Sequence, residues 1–163
     1  MPAGDNERLL RNRLISKFGD DVLSGKRSFA SVINGHNEKV YISVDDTIRL
    51  PNGREILIEV DSGNYAKLLA GQYALINGLF NGEREKTLFL VIHFYKSSKS
   101  QKEFTASRTL KNLNAIQSFN LNAKWLPYAA ISFSEFSEIV SMSQSIEKLG
   151  EALWAMSSIT PTV

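Results

Sequence analysis

The chain has 163 residues, 43% of them apolar and 22% charged, with a formal net charge of +2. That length suits one domain spanning 1–163 with a sizeable core, and so small a charge does not by itself imply nucleic acid. With no cysteine, disulfides, thiolate zinc sites and cysteine nucleophiles are excluded.

No signal peptide and no apolar run long enough to span a bilayer is read in the chain. A cytoplasmic protein with its partners in solution is the expectation.

Asp5 to Phe18 is predicted to be a helix, because Leu9, Leu10, Leu14, Ile15 and Phe18 recur at helical spacing. Asp5 is its candidate N-cap and Gly19 its stop signal. Residues 20–38 are ambiguous, with Phe29, Val32 and Ile33 as core candidates. Lys39 to Val44 alternates as a strand that can run into the next. A hairpin follows, with arms Asp46–Leu50 and Glu55–Asp61. Its signal is the pair Asn52-Gly53, which favours a two-residue type I′ turn.

Folding about that pair sets Asp46 directly opposite Glu59, and Asp61 on the same face. Like charges so placed are destabilising unless compensated. A divalent cation would compensate them. Apolar residues on both faces of the second arm predict a covered, central strand. Asp45 would point the other way, into solvent.

Ser62-Gly63-Asn64 breaks the strand and leads into a helix over 65–79, with Leu68, Leu69, Leu75, Ile76 and Leu79 as its apolar stripe. Lys67 falls in its first turn, where the helix dipole disfavours a cation. It is either a solvated lysine or one reaching back to the acidic residues. Gln72 interrupts the apolar stripe, so its amide needs a hydrogen-bond partner. That partner is the site periphery, a DNA phosphate or a neighbouring loop. Tyr73 reads as core.

Thr87 to Tyr95 is a dense strand containing His93, read as a core histidine. Helix over 105–119, strand over 128–133 and helix over 134–156, in one or two pieces, complete the chain. The order predicts an α/β fold with a mixed central sheet flanked by helices.

Magnesium takes hard oxygen ligands and keeps several waters. Asp46 and Glu59 could supply carboxylates, Asp61 a further one, and Val60 its carbonyl. Between Lys96 and Lys111 the chain carries Lys96, Lys99, Lys102, Arg108 and Lys111 against Glu103 alone, a local +4. That is either a solvated face or a surface for DNA phosphates. Arg8, Arg11 and Arg13 form a weaker basic group. There is no Walker-type loop and no nucleophile elbow.

The arrangement resembles the PD-(D/E)xK nuclease superfamily, whose core is αβββαβ. Asp46 falls at the first acidic position and Glu59 at the second. The resemblance implies magnesium, or manganese in its place, held by those two residues. It also implies hydrolysis of DNA phosphodiesters in restriction, defence or repair. Glu7 is the one early-helix acid that fits. Asp61 stands where the family has its lysine, and Lys67 fits members that move the lysine to the next helix. Gly71-Gln72-Tyr73 looks like the helical glutamine motif of some branches. The alternative reading is an inactive nucleic-acid-binding or assembly subunit of the same fold, or a protein-interaction domain. A homodimer or partner subunit could use Ile146, Leu149, Leu153, Trp154 and Met156, unless those fill the chain's own core.

Overall fold

A computed structural model describes residues 4–32, 39–94, 105–120 and 122–158. It opens with helix α1 (Asp5–Phe18), which starts from Gly4 and not from an Asp5 cap. Gly19 ends it at φ 94°, a conformation glycine adopts at little cost. After a short 3-10 turn come β1 (Arg27–Val32) and β2 (Lys39–Val44), an antiparallel two-stranded arm. Then follow β3 (Asp46–Arg49), β4 (Glu55–Asp61), helix α2 (Ala66–Leu79) and β5 (Thr87–His93). Helix α3 (Ser107–Ser118), β6 (Tyr128–Ser132), α4 (Phe133–Met142) and α5 (Ile146–Ala155) complete the chain.

The main sheet has the order β3-β4-β5-β6. β3 runs antiparallel to β4, whereas β4, β5 and β6 are mutually parallel. Parallel neighbours need crossover connections, here through α2 and α3. The fold is therefore α/β with a mixed four-stranded sheet between helices. All seven residues of β5 are buried, as a strand covered on both faces requires.

Two cores follow from this layering. Ile48, Ile56, Ile58, Leu90 and Ile131 pack on one face against α1, α4 and α5. Leu57, Phe89, Val91 and Ala130 pack on the other against α2, α3 and Phe29 of the arm. Leu149 and Leu153 are fully buried, with Ile146 and Trp154 packed beside them. The α5 stripe is thus this chain's own core and not a free docking face; of the five residues, Met156 is the exposed one.

The apolar stripe of α2 also differs from expectation. Leu68 and Leu75 are exposed, at 68% and 46%, while Ala66, Leu69, Ala70, Tyr73 and Ile76 face inward. Small alanines let the helix lie close to the sheet. Tyr73 is ringed by Phe89, Trp125 and Tyr128. Its hydroxyl donates to the Leu126 carbonyl at 2.6 Å and accepts from Gln117 Nε2 at 3.0 Å. Burial pushes that hydroxyl's pKa up, keeping it a donor. Replacing Tyr73 by Phe strands a buried amide and a carbonyl. It is expected to cost about 1–3 kcal/mol in urea unfolding.

The hairpin register is one residue away from the type I′ expectation. Asp46 faces Ile58, and Arg49 faces Glu55. Pro51 holds φ near −65°, as the second residue of a type I turn requires. Gly53 N donates back to Leu50 O at 3.0 Å, and Gly53 alone of the turn has positive φ, at 80°. Leu50 N then pairs with Arg54 O at 2.8 Å. The loop therefore has three residues, and a one-residue slip sends side chains to the opposite face. Asp46 belongs to the α1 side, and Glu59 and Asp61 to the α2 side.

Candidate functional site

The bend between β2 and β3 falls at Asp45. Its amide donates to Ile58 O at 3.0 Å, and its Oδ2 accepts from Val60 N at 2.8 Å. Those contacts straddle Glu59, so Asp45, and not Asp46, is the carboxylate set beside Glu59. Asp45 is half-buried and not the solvated residue expected.

Glu59 Oε2 is buried and has no hydrogen-bond partner. Burial, then the charge of Asp45, push the Glu59 carboxyl up to about 8. Glu7 on α1 adds further repulsion, while a hydrogen bond from Gln72 and the charge of Lys26 act the other way. Asp45 is raised as well, by burial and by Asp46, against the Val60 amide and Lys26. Two carboxylates that each resist ionisation thus share one partly buried place.

Gln72 fixes one side of it. Its Nε2 donates to Ser43 O at 3.1 Å, tying α2 to β2, and its side chain also bonds Glu59. The Ser43 carbonyl of the neighbouring strand is thus a partner of this amide, with Glu59 beside it. Lys67 is exposed on the first turn of α2. The cation whose charge bears on both carboxylates is Lys26, just before β1. No sequence signal marked Lys26, because its position depends on how the arm folds over β4.

Asp46 is an internal anchor. It is 2% exposed, pairs with Arg11 and accepts from the amides of Gly25 and Thr47, each at 2.9 Å. A carboxylate so occupied ties α1 and the β1 approach to β3. Asp61 is similarly committed. Its Oδ2 lies 2.9 Å from His93 Nδ1, and it accepts from the amides of Gly63 and Tyr65, each at 3.1 Å. Burial alone would raise its pKa, but the bonds from His93, Tyr65 and Gly63 win and hold it low. Asp61 therefore fastens the start of α2 and stays ionised without a metal.

Among the described residues, no three His, Cys, Asp or Glu side chains form a group that could hold a metal ion. A four-carboxylate cage of the kind calcium uses is not built here; two carboxylates plus water is the available donor set. Arg108 and Lys111 are exposed on α3, three residues apart and so on one side of the helix. Lys96, Lys99 and Lys102 lie outside the described residues. Arg8 pairs with Asp5, Arg11 with Asp46, and Arg13 with Ser137 O and Ser141, so the α1 arginines are largely engaged within the fold.

No protein-family model, no curated protein and no solved structure matches the chain. Among the described residues, no helix is long and apolar enough to cross a membrane.

Proposed function

We propose that this chain is a metal-dependent DNA nuclease with a restriction-endonuclease-like core, and that Asp45 and Glu59 are its metal carboxylates. One observation carries the reading: two half-buried carboxylates lie side by side, both raised by burial and Glu59 further by the charge of Asp45, and one oxygen of Glu59 is unpartnered. A bound cation would favour the ionised form of such a pair against both burial and repulsion. The β3–β4 hairpin followed by α2 and β5 supports it, although four strands, and not the three of αβββαβ, lie between α1 and α2.

The donor set fits magnesium or manganese. Magnesium keeps several waters and needs only one or two carboxylates from a protein. Glu59 Oε2 and the Asp45 carboxylate would hold it. When bound, such an ion supplies Lewis acidity and an activated water for phosphodiester hydrolysis. Gln72 holds Glu59 in place from α2. Lys26 takes the part that Lys67 was expected to play, countering charge on a phosphate oxygen. Asp46 and Asp61 act on the site through folding: one fixes the bend before β3, the other the turn after β4.

The experiment is cleavage of supercoiled plasmid and linear DNA with magnesium or manganese. Wild type is expected to nick. Asp45→Ala and Glu59→Ala should each lower the rate at least a hundredfold, Lys26→Ala about tenfold or more, and Lys67→Ala little. Full activity in Glu59→Ala would overturn the assignment. A second reading, a non-catalytic DNA-binding or assembly subunit, is favoured by one observation: the position of the family's lysine is filled by Asp61, already saturated by hydrogen bonds. Binding without cleavage by the wild type would select it.

A further inference from the structure

At the opposite end of β4 from Glu59 lies a groove of about 480 Å³. Four cations line it, Arg27, Arg49, Arg54 and Lys86, against two carboxylates, Glu55 and Glu83. Four minus two is +2, the same as the net charge of the whole 163-residue chain. The two acids are already engaged: Glu55 pairs with Arg27, and Glu83 with Lys86 at 2.6 Å. Among the described residues, Arg49 and Arg54 are in no ion pair, although both lie at the mouth of the hairpin. The groove is thus left with two uncompensated guanidinium groups.

Two of these cations, Arg54 and Arg27, are also held in place. Arg54 lies 4.9 Å over the ring of Trp154, whose own body packs into the core. Arg27 lies 5.0 Å over Phe29 and 5.6 Å over Phe80. A guanidinium stacked on an aromatic ring keeps its edge donors free and has lost much of its rotamer freedom before any ligand arrives. Fixed planar donors suit the paired oxygens of a phosphate. Leu50 is the one large apolar residue of the lining, so an apolar small molecule finds little to bind.

We propose that the Arg49–Arg54 groove is a binding site for the phosphodiester backbone of nucleic acid, separate from the acidic pair. The choice of DNA over another polyanion rests on the nuclease reading above. Glu55 and Glu59 are four rungs apart on β4, roughly 13 Å. That is well inside one turn of duplex, about 34 Å. The two places are therefore within the span of one bound duplex. The groove acts as an anchor: it holds the substrate and takes no part in bond cleavage.

The test uses the full chain and a fluorescein-labelled 30-base-pair duplex, followed by anisotropy in EDTA so that nothing is cut. Arg49→Gln/Arg54→Gln should bind at least tenfold more weakly at low salt. Its slope of log affinity against log salt should be shallower by about 2, close to 0.9 per lost phosphate contact. Lys148→Gln, an exposed cation of α5, is the charge control and should change neither. A slope unchanged in the double variant overturns the inference, as does an equal loss in the control. Inorganic polyphosphate competing as well as DNA at equal phosphate overturns the nucleic-acid assignment. If the slope depends on the arginine pair while no DNA is ever cut, the groove stands and the nuclease reading falls.

Discussion

Glu59→Gln is expected to make the metal-free protein more stable at pH 9, not less. The Glu59 carboxyl rises from 4.5 to about 8 on folding. Between those values the folded chain holds a proton that the unfolded chain has released, so stability declines as pH rises through the window. It is fully present below about 4.5 and gone above about 8. The full difference is on the order of 5 kcal/mol, which corresponds to a shift in Tm on the order of 10 °C for a chain of this size. The amide keeps the shape and the Gln72 contact but has no charge to desolvate. Thermal scans from pH 5 to 9 should therefore show a falling Tm in wild type and a flatter profile in the variant. Asp45→Asn should move in the same direction, and the two should not add, because each removes the other's repulsion.

The same substitution tests the metal. A cation that binds only the folded state raises stability by about 2.7 kcal/mol at a hundred times its Kd. Millimolar manganese should raise the wild-type Tm at pH 8.5, and less at pH 5.5, where the proton competes. Glu59→Gln should not respond at either pH. Equal responses in wild type and variant would place the cation elsewhere, and identical pH profiles would refute the buried repulsion itself.

The strands and helices were legible where burial was periodic. β2 and β4 match the sequence expectation residue for residue, and α1 does so at both ends. β1 was not legible, because in Arg27–Val32 Phe29 is the one buried side chain. A strand that buries one residue leaves no alternation to read. The α2 stripe misled for the opposite reason: its leucines mark a period, but alanines and Tyr73 give the close fit to the sheet. The pairing of acidic residues across the hairpin was read one residue out of register. Reading Asn52-Gly53 as a two-residue turn placed Asp46 opposite Glu59. Pro51 was the available signal against it, since a two-residue turn needs the residue before Asn52 to donate its N–H across to Arg54 and proline has none. The slip exchanged a carboxylate saturated by Arg11 for one left facing Glu59.

Asp61 carries the second large effect, with the opposite pH dependence. Its side chain and that of His93 are 1% and 0% exposed, and the carboxylate also holds the Gly63 and Tyr65 amides. Asp61→Ala would remove the acceptor of two amides at the start of α2 and the carboxylate beside His93 Nδ1. Each buried hydrogen-bonding group left unsatisfied costs about 1–3 kcal/mol, so urea midpoints should drop sharply. Asp61→Asn keeps an acceptor for the amides and should lose less. Because the folded pKa of Asp61 lies below its ordinary value of 3.8, its contribution is present above about pH 4 and is lost as pH falls through the folded value. Glu59, two residues earlier on the same strand and face, loses stability as pH rises. Wild-type stability should therefore be highest between these limits. Glu59→Gln should flatten the alkaline limb alone, and Asp61→Asn the acid limb alone. Such a split profile would establish that the two carboxylates of β4 titrate independently, one stabilising the fold when ionised and the other when protonated. A common limb altered by both variants would mean that they titrate as one cluster, and Asp61 would rejoin the candidate metal ligands.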